Sequence, residues 1–186
     1  MRARRFLALL PLVLAGCGYN TIQTYDESAN SAKQQIEVQL QRRADLVPNL
    51  VEVVRGQAKQ ELEVFTQVAR ARSGLVDALQ KRDPREMAEA NDQLTTAMRG
   101  LMVQVEAYPQ IKSDQAFLRL QDELTGTENR IAVSRTDFNG AVERYNAYIR
   151  KFPQVLTAKV TGAKAKEYFE VANAAARDVP KVDFSK

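Results

Sequence analysis

Between Asp114 and Phe152 the chain reads DQAFLRLQDELTGTENRIAVSRTDFNGAVERYNAYIRKF. Within it Phe117, Leu120, Leu124, Thr127, Ile131, Ser134, Phe138, Ala141, Tyr145, Tyr148 and Phe152 recur at alternating spacings of three and four. That spacing puts them on one face of an α-helix, a coiled-coil-like seam sustained over about five heptads. At 1.5 Å per residue the helix would be about 58 Å long, which is long for a compact globule and natural for a rod-like bundle. Large residues mostly alternate with small or polar ones, which suits interlocking with neighbouring helices. The stripe reads as an internal bundle seam; the alternative is a groove that receives a partner.

The same period extends through most of the chain. Met87, Ala90, Leu94, Ala97, Leu101, Val105 and Tyr108 mark a helix over 84–107. Leu50, Val54, Ala58, Leu62, Phe65, Val68, Ala71, Leu75 and Leu79 mark another over 49–81. Ile22, Tyr25, Ala29, Ala32, Ile36 and Leu40 mark a first over 24–46. Start signals agree with these spans. Thr24 with Glu27 forms a capping box. Asp83-Pro84-Arg85-Glu86 places a capping aspartate before a proline at the first helical position, and Ser113-Asp114 can open the long helix. Tyr108-Pro109 and Phe152-Pro153 are stops, because proline disfavours helical geometry in the residue before it. Pro48 removes a hydrogen bond and clashes with the Ala44 carbonyl. The apolar phase carries across it through Val47 and Leu50, so a break and a sharp kink both stay open, and a break or kink is the expectation. After Pro153 the pattern weakens: Lys164 to Arg177 can form a short helix with Tyr168, Phe169 and Val171 packed down. The run from Pro180 to Phe184 reads as extended, either pinned to the bundle by Phe184 or disordered. The fold class expected is all-α, an elongated antiparallel up-and-down bundle of about four helices with a small C-terminal helix or extended tail.

Outside the bundle the informative residue is Cys17, the single cysteine. Three arginines in the first five residues precede the apolar run Phe6 to Ala15, which ends in Leu14-Ala15-Gly16-Cys17. A basic start, a short apolar core and small terminal residues make a secretory signal. The run is shorter than the roughly 17–25 residues a spanning helix needs. The ending resembles a bacterial lipobox, which implies cleavage before Cys17 and a diacylglycerol on its thiol. Residues 1–16 are then a cleaved signal peptide, 17–23 an acylated tether and 24–184 the helical domain. Gly18 follows the cysteine where an aspartate commonly retains lipoproteins in an inner membrane. The expectation is a membrane-anchored envelope lipoprotein, in the outer membrane facing the periplasm if the cell has two.

Charge adds little beyond this. The full chain carries +4; removing the three arginines of the signal leaves +1. No block of five like charges lies in the remainder, so no nucleic-acid partner is expected.

The chain has no histidine, hence neither the commonest general base nor the commonest metal ligand. With Cys17 acylated no thiol nucleophile remains, and no phosphate-binding glycine loop appears. No cofactor, metal or catalytic residue is expected. The best polar constellation is Arg42, Arg43, Asp45 and Asn49 near Pro48, with Glu128, Asn129 and Arg130 on the long helix. It reads as structural, satisfying backbone groups freed by the proline and fixing helix register through ion pairs. The alternative is a functional polar site centred on Glu128.

Three ordered motifs carry a resemblance. Ile36 to Glu52, IEVQLQRRADLVPNLVE, resembles the opening motif of the LemA family. Tyr108-Pro109-Gln110-Ile111-Lys112, followed by Phe117, Leu120-Gln121 and Glu123-Leu124, resembles its second. Thr127-Glu128-Asn129-Arg130-Ile131-Ala132 with Arg135, Phe138-Asn139 and Tyr145-Asn146 resembles its third. The chain departs from the family in using a lipobox where many members have a transmembrane helix. The resemblance implies a long antiparallel bundle, membrane association in the envelope and no established catalysis. The expectation is thus a lipid-anchored, non-catalytic interaction or scaffold module with an envelope protein partner. The alternative is an accessory factor or enzyme of cell-wall or proteolytic machinery.

Overall fold

The computed structural model describes residues 2–58 and 62–170, with side chains from Gly18 onward. Six helices follow in order among the described residues: α1 (Arg2–Gln57), α2 (Leu62–Lys81), α3 (Pro84–Val105), α4 (Pro109–Lys112), α5 (Gln115–Arg150) and α6 (Gln154–Thr161). No strand occurs among them, and the chain is an all-α bundle.

The antiparallel pair α1 and α5 is the spine. Gln57 bonds Asp114 at one end, at 3.3 Å, and Ile22 packs on Tyr145 and Ile149 at the other. The α2–α3 hairpin covers one half of this pair and completes a four-helix core. Ile36, Leu40, Leu50, Leu75, Leu94 and Leu101 are fully buried there, each contributing about 1.5–3 kcal/mol through its apolar area. The other half is covered by α6 and by residues 163–170, which run without helix along α5.

The helix starts at α3 and α5 match their sequence signals. Asp83 Oδ1 accepts from the amides of Arg85 and Glu86 at 2.9 and 3.0 Å. Asp114 Oδ1 accepts from Ala116 and Phe117 at 2.7 and 3.1 Å. Arg82 closes α2 with φ 57°, a left-handed value that costs a side-chain-bearing residue roughly 1–2 kcal/mol. Glu37 holds its guanidinium at 3.0 Å and Lys33 donates to its carbonyl.

Four expectations are corrected. First, Pro48 neither breaks nor ends α1, which runs on to Gln57. The Ala44 carbonyl, deprived of its usual donor by the proline, accepts from Arg72 Nε on α2 at 2.7 Å. Val47, Leu50 and Val54 stay buried on the same face, so the apolar stripe carries across the proline. The chain reverses after Ala58 instead. Leu62, expected in a seam continuous with Leu50, is exposed at the start of α2, because the reversal resets the helical phase.

Second, Thr24 does not start a helix. It lies inside α1 and donates its hydroxyl to the Asn20 carbonyl at 2.9 Å. Residues 18–23 are packed helix rather than an extended tether: Ile22 is fully buried. Gly18 lies so close to α6 that a Cβ there would stand 3.2 Å from Gln154 Cγ.

Third, Phe152 is not part of the seam. α5 ends at Arg150, and Phe152 is 81 % exposed. The other ten seam residues are buried or half-buried, as expected.

Fourth, a short helix lies at Gln154–Thr161, ahead of the expected span. Gly162 caps it with φ 72°, and the Ala163 amide bonds the Ala158 carbonyl at 2.9 Å. Residues 164–170 form no helix. Val171 and the tail from Pro180 to Phe184 lie outside the described residues.

Candidate functional site

Fewer than two turns of α1, from Gln39 to Ala44, face the stretch Glu123–Arg130 of α5, and the polar residues of the opening and third motifs meet there. Arg43 is the centre. Its side chain is 3 % exposed. Nη2 pairs with Glu128 Oε1 at 2.5 Å, and Nη1 donates to Asn91 Oδ1 of α3 at 2.6 Å. One guanidinium thus joins α1, α3 and α5. Burial pushes the Arg43 pKa down while Glu128 pulls it back up; arginine stays protonated because its starting value is so high.

Around this centre, Arg42 pairs with Glu123 on the exposed flank. Arg130 reaches back to α1, donating Nε to Gln39 Oε1 at 3.0 Å and Nη2 to Thr127 Oγ1 at 2.9 Å. Thr127 is fully buried and gives its own hydroxyl to the Glu123 carbonyl at 2.8 Å. Four of the seven residues expected to cluster therefore do so: Arg42, Arg43, Glu128 and Arg130. Asp45 instead accepts from Gln41 on its own helix at 2.9 Å. Asn49 and Asn129 are exposed and take no part in these bonds.

A cavity of about 200 Å³ opens beside the cluster, with Arg43, Asn91, Glu128, Arg135 and Phe169 in its wall. Both partners of the Arg43 fork are committed to it, and Glu128 is half-exposed. The arrangement is an electrostatic clamp with one open flank. Among the described residues no three acidic, histidine or cysteine side chains are grouped to hold a metal ion.

A second polar device lies on the same face of α5. Asn146 Nδ2 donates to the Lys166 carbonyl at 2.9 Å, and its Oδ1 accepts from the Lys166 amide at 2.8 Å. Asn139 repeats the pattern on Phe169, at 3.3 and 2.9 Å. The geometry matches: seven helical residues advance about 10.5 Å, and three extended residues about 10 Å. Lys166 is fixed further by Asp26 at 2.9 Å, Asn30 at 3.0 Å and the Tyr145 ring at 5.3 Å. These asparagines stand in the third motif, but their role needs the extended segment and could not be read without it. Gln39 and Glu123 stand in the quoted motifs but outside the expected polar cluster, and Asn91 stands in neither; it carries no local signal, since its importance comes from facing Arg43.

Cys17 lies in α1 one residue before Gly18. Its side chain is outside the described residues. Among those described, no helix is long and apolar enough to cross a membrane.

Comparison with known proteins agrees with the motifs. The chain is 30 % identical over 175 residues to magnetosome protein MamQ 2 of Paramagnetospirillum magneticum, covering 82 % of this chain and 64 % of that protein. It is 29 % identical over 174 residues to magnetosome protein MamQ of Magnetospirillum gryphiswaldense, covering 81 % and 64 %. The chain thus spans less than two thirds of the length of these relatives. The LemA family model matches residues 32–184, which includes the Arg43 clamp, both asparagines and the whole α2–α3 hairpin, and the chain belongs to the LemA family.

Proposed function

We propose that this protein is a lipid-anchored, non-catalytic interaction module of the bacterial envelope, held at the membrane through Cys17. The observation that carries the reading is where the lipobox-like cysteine falls. It ends a short apolar run and immediately precedes Gly18, which is buried under α6. A lipid at that point holds the packed end of the bundle directly at the bilayer. Anchoring by two or more acyl chains is effectively stable, whereas a single chain binds only marginally. Family membership and similarity to proteins named for the magnetosome support a part in a membrane-associated assembly.

The Arg43 cluster supports the non-catalytic half of the reading. Its guanidinium bonds join three helices, and its carboxylate is engaged by that guanidinium. The second reading, an envelope enzyme or accessory factor using Glu128, draws on the half-exposed carboxylate beside the cavity. In-cell cross-linking followed by purification of the anchored protein decides between them. A reproducible envelope protein partner that survives Glu128→Gln supports the module. An activity of the purified protein lost on Glu128→Gln with the fold intact overturns it.

A further inference from the structure

The α6 end of the bundle presents what a folded interior does not need. Phe152, Leu156 and Val160 are 81 %, 55 % and 88 % exposed. Leu156 and Val160 are one helical turn apart and share a face. The opposite face of α6 is spent: Thr157 and Ala158 are buried, and Ala158 packs with Ile22, Tyr145 and Ile149. The charge carried by α6 and its flanking turns has one sign. No acidic residue occurs between Glu143 and Glu167, while Lys151, Lys159 and Lys164 are all exposed there.

We propose that this end is a membrane-docking face: Phe152, Leu156 and Val160 enter the boundary between headgroups and acyl chains, and Lys151, Lys159 and Lys164 meet anionic lipid phosphates. Apolar side chains flanked by lysines are the pattern of an interfacial element. Continuity with the anchor favours a bilayer over other occupants, since Gly18 packs against α6 one residue from Cys17; this part of the argument rests on the anchored reading above. A second copy of the chain is disfavoured because a symmetric contact would bring like-charged lysines together. The anchor and the α6 face together give two points of attachment, which fix how the rod stands on the membrane.

The chain has no tryptophan, so Val160→Trp supplies a unique emitter and exposed Val133→Trp, midway along α5, a control. Each full-length protein is reconstituted in phosphatidylcholine vesicles with and without phosphatidylglycerol, carrying brominated acyl chains. Val160→Trp is expected to emit at shorter wavelength and to be quenched several-fold more than Val133→Trp. The difference should shrink without phosphatidylglycerol and on changing Lys151, Lys159 and Lys164 to Glu. Water-like, unquenched emission from Val160→Trp in a protein whose mass shows lipid on Cys17 overturns docking and leaves the anchor. Strong quenching in a protein without that lipid overturns the anchor and leaves docking. Concentration-dependent shielding of Val160→Trp without vesicles makes the face a contact between copies and overturns the proposal.

Discussion

Arg43 and Glu128 are 85 residues apart in sequence and 2.5 Å apart in space, with the guanidinium buried and the carboxylate half in solvent. The asymmetry sets what each contributes. Arg43→Ala leaves Asn91 and Glu128 without their shared donor and opens a void among three helices, so it should cost about 3 kcal/mol. Glu128→Gln keeps an acceptor in place but takes the counter-charge from the buried guanidinium, so it should cost less than Arg43→Ala, about 1–2 kcal/mol. Urea unfolding of the two variants checks the ordering; equal losses would mean that the pair acts as an exposed salt bridge.

The Pro48 device predicts non-additivity. Arg72→Ala strips the Ala44 carbonyl of its donor and should cost about 1–3 kcal/mol. Pro48→Ala restores an amide four residues on, able to bond that carbonyl within the helix. Arg72→Ala should therefore cost distinctly less in the Pro48→Ala background. A double-mutant cycle measures the coupling, and additive losses would show that Arg72 does not replace the missing bond.

The asparagine clamps predict local release. Asn146→Ala removes both bonds to Lys166 and should raise amide exchange at Lys166 at least tenfold while leaving the α2–α3 hairpin protected. Asn146→Asp keeps the acceptor and loses the donor, so its effect should be intermediate. Residue-resolved hydrogen exchange reads both; uniform acceleration across the bundle would contradict a local clamp.

Tyr145 predicts an alkaline limb. Burial, with the nearby Asp26 carboxylate, pushes its phenol above the usual value. The native state then holds a proton that the unfolded chain releases, and stability falls as pH rises past about 10 until the native group also ionises. Tyr145→Phe should flatten that limb. Unfolding free energies across pH 9 to about 11 test it; an unchanged limb would assign the loss to other groups.

The α5 seam was legible because a three-four spacing over many turns has one reading, and because capping signals at Asp83 and Asp114 act within a few residues. That α1 continues unbroken through Pro48 was not legible, because the cost of the proline is local and its remedy is not: Arg72 lies 28 residues from the carbonyl it satisfies. Phe152 fitted the period of α5, yet the helix stops before it. Arg42, Arg43, Glu128 and Arg130 could be grouped from the proline and the seam. Asp45, Asn49 and Asn129 could not be separated from them, since one step of a hundred degrees around a helix decides between a partner and solvent. The asparagine clamps needed the path of residues 163–170, which no periodicity encodes.

The most direct measurement is the intact mass of the protein extracted from membranes of its own cells. A chain beginning at Cys17 and carrying diacylglycerol, with processing and membrane retention lost on Cys17→Ser, is the predicted result. A membrane-bound chain that keeps residues 1–16 and carries no lipid would contradict it.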